Sequence, residues 1–315
     1  MVDSTSVHNL NADRRLGRVG QAAWMLLNFL NNHYRPRSRN LRVGSFCPTL
    51  DRDDWERIDH KSSPSRAISD LFWLKMDWNA IKSELGPIRI VDAGAGYGTY
   101  GPKINDFAQG IDSYLGTDLV PREEWKAIMR EHDFITFSEQ HSDDLLDVIP
   151  QETNFFMSQS SIEHFESDLL YFKQIRSFIA ETNRNTVQVH LFPSAACLRL
   201  YRWHGIRQYT PRTVSKITRL FDSPTSYSML LGLGGPRCND LHHRFITSPL
   251  GLLGRGVDWR DTRPEEYRSL LKAAVEEDIL RPSRAPAFYG LLIHSNFRNP
   301  IFKRMPSLNG RQFRQ

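Results

Sequence analysis

Two periods of apolar and polar positions alternate along the chain. From residue 86 onward, short runs of β-branched and aromatic residues end at glycine or polar clusters, and longer stretches with apolar residues three and four apart follow them. The short runs read as buried strands and the longer stretches as amphipathic helices. Strands are expected at 88–94, 113–119, 134–140, 153–161, 186–193, 226–233 and 286–295. Helices are expected at 100–110, 121–133, 143–149, 167–182 and 210–221, the last with Thr210 as N-cap and Pro211 in its first turn. Such alternation predicts a parallel sheet with helices on both faces.

The pattern before residue 86 is different. Residues 1–13 are polar and expected to be loose, and 14–34 read as a helix. The apolar run "AAWMLLNFL" inside that helix is too short to span a bilayer and lacks a small-residue cleavage site, so it reads as a helix face rather than a leader. "RPRSRN" breaks the helix, 41–62 look irregular, and 63–85 read as one helix with Ser63 or Ser65 at its start. The expected organisation is a helical extension or cap at 1–85 and a main domain at 86–315. That domain carries an insertion at about 234–284, with a helix at 264–280, and a basic tail at 298–315.

Composition adds a charge bias. Of 315 residues, 40% are apolar and 24% charged, which is ordinary for a globular chain. The net charge is +5, and arginine outnumbers lysine 32 to 9, favouring anionic partners. Cys47, Cys197 and Cys238 are far apart in sequence, which argues against a disulfide framework and suits a reducing compartment. No metal site is expected, the adjacent histidines in "CNDLHHRF" having no spaced carboxylate.

The stretch "VDAGAGYGTYG" (91–101) closes the first strand of the main domain. It contains a literal GxGxxG at Gly96, Gly98 and Gly101, the pattern of a dinucleotide turn. Its register is wrong for one, because Asp92 ends the strand before the turn begins and would repel a pyrophosphate. A carboxylate there suits a cationic amine or sulfonium. The next strand also ends on a carboxylate, Asp118, placed to accept two ribose hydroxyls.

This order of features resembles the class I S-adenosylmethionine-dependent methyltransferases. The matching residues are "DAGAGYG" (Asp92, Gly94, Ala95, Gly96, Gly98), "LGTDL" (Asp118) and "NFFMSQSSIEHF" (154–165), within a span of about 86–221 plus 286–295. The resemblance implies a Rossmann-like, seven-stranded, mostly parallel sheet and S-adenosyl-L-methionine as cofactor. It implies that Asp92 and the turn lie along the methionine moiety, that Asp118 holds the ribose, and that Leu119 packs on the adenine. It puts Asp143 or Asp144 at the adenine amino group and Ser160 at the cofactor. The two aspartates are adjacent, so the choice stays open, and Asp143 could equally cap the helix it begins.

Methyl transfer from an activated sulfonium mainly needs positioning, with a base if the acceptor is a hydroxyl. His164 after the fourth strand and His204 after the fifth are the candidate bases; His190, inside the fifth, reads as a core side chain. The segment "RLYRWHGIRQYTP" (199–211) supplies Trp203, Arg207 and Tyr209 as candidate acceptor contacts, since aromatic faces stack on sugars and arginines pair with phosphates. Tyr100 is a further candidate or a packing residue. "HGIRQY" is similar to a run in methyltransferases of bacterial surface-polysaccharide clusters, which implies O-methylation of a sugar hydroxyl of a glycan or related small molecule. The acceptor would be lipid- or nucleotide-linked, and the enzyme cytoplasmic, with its basic ends peripheral to the inner face of the membrane. The alternatives are an RNA methyltransferase, suggested by the arginines but without a recognisable RNA-binding appendage, or a non-catalytic scaffold retaining the fold.

Overall fold

The structure, a computed structural model, describes residues 3–14, 16–34, 36–38, 40–199, 204–250 and 256–303. Its centre is one eight-stranded sheet: β1 Leu41–Ser45, β2 Arg89–Ala93, β3 Ser113–Asp118, β4 Ile135–Glu139, β5 Phe155–Gln159, β6 Thr186–Pro193, β7 Ser226–Leu233 and β8 Phe288–Ser295. The spatial order is β1-β7-β8-β6-β5-β2-β3-β4, and only β8 runs antiparallel to its neighbours. All seven expected strands are present within one or two residues of their expected bounds. β6 and β8 are buried along their whole length, as centrally placed strands covered on both faces should be.

The eighth strand, β1, lies in a stretch expected to be irregular. "LRVGS" is short, contains glycine, and buries only its two ends, so it carries no alternation. Parallel pairing with β7, more than 180 residues away, makes it a strand. The stretch 1–85 is therefore built into the sheet as well as into helices. The single helix expected at 63–85 is two, Pro64–Leu74 and Trp78–Leu85, the second begun by Asp77 accepting from the Ala80 N–H. The first packs Ile68, Leu71 and Phe72 into the core cluster that also holds Leu231 and Leu233 of β7.

The helix Arg18–His33 turns its faces opposite to expectation. Trp24, Asn28, Asn31 and Asn32 are buried, whereas Met25, Leu26 and Phe29 are more than half exposed. The asparagines are inside because they bind backbone: Asn28 Nδ2 donates to Ile206 O and Asn31 Nδ2 to Thr5 O. The residues before the helix are not loose. Thr5 N–H donates to Asp168 Oδ1 at 2.7 Å, and Ser4, Thr5 and Ser6 are buried. In the insertion the helix Pro264–Leu280 appears as expected, preceded by a second helix at Pro236–His242.

Candidate active site

β2 and β5 are neighbours, and from them the chain order runs outward in opposite directions, to β3 and β4 on one side and to β6 on the other. This reversal opens a crevice at the C-terminal ends of the strands. The residues that follow β2 and β5 meet there.

The turn after β2 is formed by glycines for two distinct reasons. Gly94, Gly96 and Gly98 all have positive φ (77°, 56° and 78°), the left-handed region costly for other residues. A Cβ on Gly94 would stand 2.4 Å from Ser161 Cβ, and one on Gly98 2.5 Å from the Phe137 ring, so these two let neighbouring elements close up. At Gly96 there is nothing within 4 Å of the Cβ position. Its open side faces space that a ligand could use. The turn is held rigid from beneath: Gly94 N–H and Ala95 N–H both donate to Thr117 O, and Trp125 Nε1–H donates to Gly96 O. Trp125 itself stacks on Phe137, with centroids 4.9 Å apart.

Asp118, at the end of β3, accepts from Gly96 N–H at 2.8 Å and from Val120 N–H at 3.2 Å. A carboxylate has about four acceptor positions, so this leaves room for two further donors. Leu119 beside it is 59% exposed, an unusual position for a leucine unless something covers it. The 3₁₀ helix Ser142–Asp147 follows β4. His141, not Asp143, caps it, accepting from the Asp143 N–H. Asp143 Oδ1 is buried with no hydrogen-bond partner, while Asp144 is exposed. Of the two aspartates, Asp143 is therefore the one with a buried oxygen that lacks a donor. Ser160, after β5, has φ +54° and sits at the same end of the sheet.

Asp92 lies one layer deeper. It is 1% exposed; Oδ2 accepts from the Tyr114 hydroxyl at 2.5 Å, and Oδ1 has no hydrogen-bond partner. Burial pushes its carboxyl up to about 7, against the bond from Tyr114 and with help from the nearby charge of Asp118. The folded chain thus holds a proton that the unfolded chain releases above its ordinary value of 3.8. The stability this proton supplies is full below about pH 4 and is lost as pH rises through about 7, a change of about 4 kcal/mol. Asp92→Asn should remove the dependence. Denaturant unfolding at pH 5 and pH 8 should show the variant gaining on the parent by a few kcal/mol at the higher pH; an unchanged difference would disprove a buried, protonated Asp92.

On the acceptor side three separate segments converge. Asp13 Oδ2 is 2.7 Å from His164 Nδ1, Asp13 Oδ1 is 3.4 Å from His204 Nδ1, and the two imidazoles meet edge to face with centroids 4.6 Å apart. Backbone bonds fix the convergence: Ala12 N–H donates to Gly205 O, Gly205 N–H to Asp13 Oδ1, and Ile206 N–H to Glu163 O. Gly205 has φ +67°, and a Cβ there would stand 3.0 Å from Glu163 O, so only glycine lets the 204–206 loop lie this close. Burial opposes the charged form of His164, but the bond to Asp13 and the charge of Glu163 outweigh it and hold its pKa above the usual histidine value. Phe165, next in sequence, comes within 3.6 Å of the Gly94 Cβ position, which joins this cluster to the glycine turn.

Three expected acceptor contacts are placed elsewhere. Arg207 is 1% exposed; it donates to the carbonyls of Ile162, Phe165 and Glu166 and to the Ser4 hydroxyl, so it clamps the N-terminal segment instead of binding substrate. Tyr209 is fully buried, its hydroxyl donating to Asp168 Oδ2 at 2.8 Å. Tyr100 is 5% exposed and donates to Asp70 Oδ1 at 2.7 Å, facing the helix Pro64–Leu74. Trp203 lies outside the described residues. His190 is the core side chain it was expected to be, 2.8 Å from the Ser158 hydroxyl. Asp13, Glu163, Trp125 and Phe137 were not anticipated. Only a carboxylate search across the whole chain could have suggested Asp13, because nothing near it in sequence marks it.

No protein-family model matches this chain, and no curated protein sequence matches it. Among solved structures it is similar to the plantazolicin methyltransferase BamL, solved with a triazolic desmethylPZN analog and SAH (13% identity, 74% of this chain and 86% of that one, TM-score 0.42). It is similar to a SAM dependent methyltransferase from Archaeoglobus fulgidus (16%, 69% and 90%, 0.40). It is also similar to the [4+2]-cyclase SpnF (11%, 93% and 98%, 0.46). The chemistry of the site rests on this chain's own residues.

Proposed function

We propose that the protein is an S-adenosyl-L-methionine-dependent methyltransferase that O-methylates a sugar hydroxyl of a glycan or related small molecule. The observation that carries the reading is the Gly94–Gly98 turn, bound to Asp118 through the Gly96 N–H and open on the side of Gly96, at the crevice where the sheet reverses. Asp118 holds the ribose, Leu119 covers one adenine face, and Asp143 Oδ1 accepts from the adenine amino group. Asp92 Oδ1, buried and without a hydrogen-bond partner, lies beneath the methionine moiety, whose positive charge would draw the proton off this carboxyl.

The acceptor enters beside His164 and His204. S-adenosyl-L-methionine, when bound, would supply a methyl group activated by its sulfonium; His164 and His204 would orient an acceptor hydroxyl and take up its proton, with Asp13 holding both imidazoles. A glycan is favoured because this cluster is half-exposed and polar, suited to a hydroxyl-rich ligand and unlike a closed apolar pocket. No helix among the described residues is long and apolar enough to cross a membrane. The outward apolar face of Arg18–His33 would instead lay a lipid-linked acceptor's membrane against the site.

Isothermal calorimetry with S-adenosylhomocysteine should give one site per chain with micromolar-range affinity. Absence of binding would end the methyltransferase reading.

A further inference from the structure

The methyl-transfer reading needs a base from the Asp13–His164–His204 cluster but leaves Glu163 unused. Glu163 is 1% exposed, and neither of its side-chain oxygens has a hydrogen-bond partner in another residue. A buried carboxylate without a donor is costly, and such groups in proteins are paired or bind a cation. Glu163 Oε1 stands 3.9 Å from His164 Nε2, on the side of the imidazole away from Asp13, so it flanks the cluster and adds negative charge behind His164.

We propose that Asp13, His164 and His204, with Glu163 behind them, form a binding site for a divalent transition-metal ion. Asp13, His164 and His204 each offer a ligand atom, and these atoms lie within 4.8 Å of one another. An ion held at about 2.0–2.2 Å from each donor would draw them to roughly 3–3.5 Å apart, so a pair at the 4.8 Å limit would close by about 1.3–1.8 Å, shared between two side chains. Half-exposed side chains can make that movement. The backbone carrying them cannot wander, since residues 12–13, 163–164 and 204–206 are cross-bonded by the amides of Ala12, Gly205 and Ile206. Two imidazoles with the Asp13 carboxylate suit manganese, iron(II), cobalt or zinc and do not suit magnesium or calcium, which take all-oxygen sets.

The three side chains are each about one-third exposed, so an ion held by them would keep a position open to solvent for a substrate oxygen. The role of the site rests on the methyl-transfer reading: a bound cation would lower the pKa of an acceptor hydroxyl and orient it towards the methyl group. The proton then leaves to solvent or to a carboxylate of the cluster, and methyl transfer from the sulfonium leaves a neutral thioether. Metal binding itself does not depend on that reading.

The test is titration of the chelator-treated full-length protein with cobalt(II) chloride, followed by visible absorption and calorimetry. One ion per chain is expected, with d–d bands of a histidine and carboxylate site. His204→Gln and Asp13→Asn should each weaken it by at least the roughly 10–100-fold that loss of an outer partner costs. Glu163→Gln, nearly isosteric, should weaken it too while leaving the thermal melt intact. Stoichiometric binding absent from the parent, or unchanged in His204→Gln and Glu163→Gln, would overturn the proposal. S-adenosylhomocysteine affinity measured on the same samples separates the two readings: loss of cobalt with the nucleotide retained in the variants supports the metal site, whereas a parent that binds cobalt but no nucleotide overturns methyl transfer alone.

Discussion

Arg207→Ala is expected to destabilise the folded chain by about 3–5 kcal/mol, the range for breaking a buried charge network by removing one partner. Arg207 and Asp168 are both almost fully buried, with Nη1 and Oδ2 3.6 Å apart. The guanidinium also satisfies three backbone carbonyls between Ile162 and Glu166 and reaches Ser4. Asp168 is shared with Thr5 and Tyr209, so the same network seats the N-terminal segment on the 160–168 loop. Without the arginine the carbonyls of Phe165 and Glu166 lose their guanidinium donor, Ile162 O keeps only its bonds from Tyr209 and the Phe165 N–H, and Asp168 is left buried without its cation. Guanidinium denaturation should show the loss, and proteolysis should cut first near residues 3–13. A change below about 1 kcal/mol would mean that Arg207 is not the clamp. Arg207→Lys should recover little, because one ammonium cannot bridge four acceptors in the fixed geometry of a guanidinium.

Asp118→Ala is expected to weaken S-adenosylhomocysteine about 100-fold. Two hydrogen bonds from ribose hydroxyls to a carboxylate are worth about 1.5 kcal/mol or more each, and about 3 kcal/mol corresponds to two decades in affinity. Asp118 also accepts from Gly96 N–H, so the alanine variant loosens the turn as well as the ribose contact. Asp118→Asn separates the two effects. Its amide oxygen can still accept from Gly96, so the turn keeps its shape while the charge-assisted bonds are lost. Calorimetry on both variants, with melting curves as a control for folding, should order them parent, Asn, Ala. Equal affinity in all three would remove Asp118 from the nucleotide site.

The sequence by itself determined the seven strands that lie in or near the alternating region. Their signal is local: a β-branched run buried on both faces announces itself within five to eight residues, as in β6 and β8. The glycine turn was legible for a similar reason. Its spacing and the carboxylates at the ends of β2 and β3 are all short-range facts, and the strand pairing of β2 with β3 sets Asp118 against Gly96 as the register required. Tertiary structure alone decided the rest. β1 is a strand only because β7 lies beside it, and Arg18–His33 hides its asparagines only because the backbone of Thr5 and Ile206 offers them partners. Arg207 read as an acceptor contact because arginines pair with phosphates; its burial follows from an Asp168 that periodicity could not place next to it.

The histidine cluster shows the limit most clearly. His164 and His204 could be named from their positions after strands, but Asp13 meets them across 151 residues to His164 and, through its bond from Gly205, across 192. Glu163, adjacent to His164 in sequence, becomes significant only when burial strips it of donors. Periodicity reports which side of an element is covered. Which groups of opposite charge or matching geometry share a site depends on how distant segments return to one end of the sheet, and that is set by the packing of the whole chain.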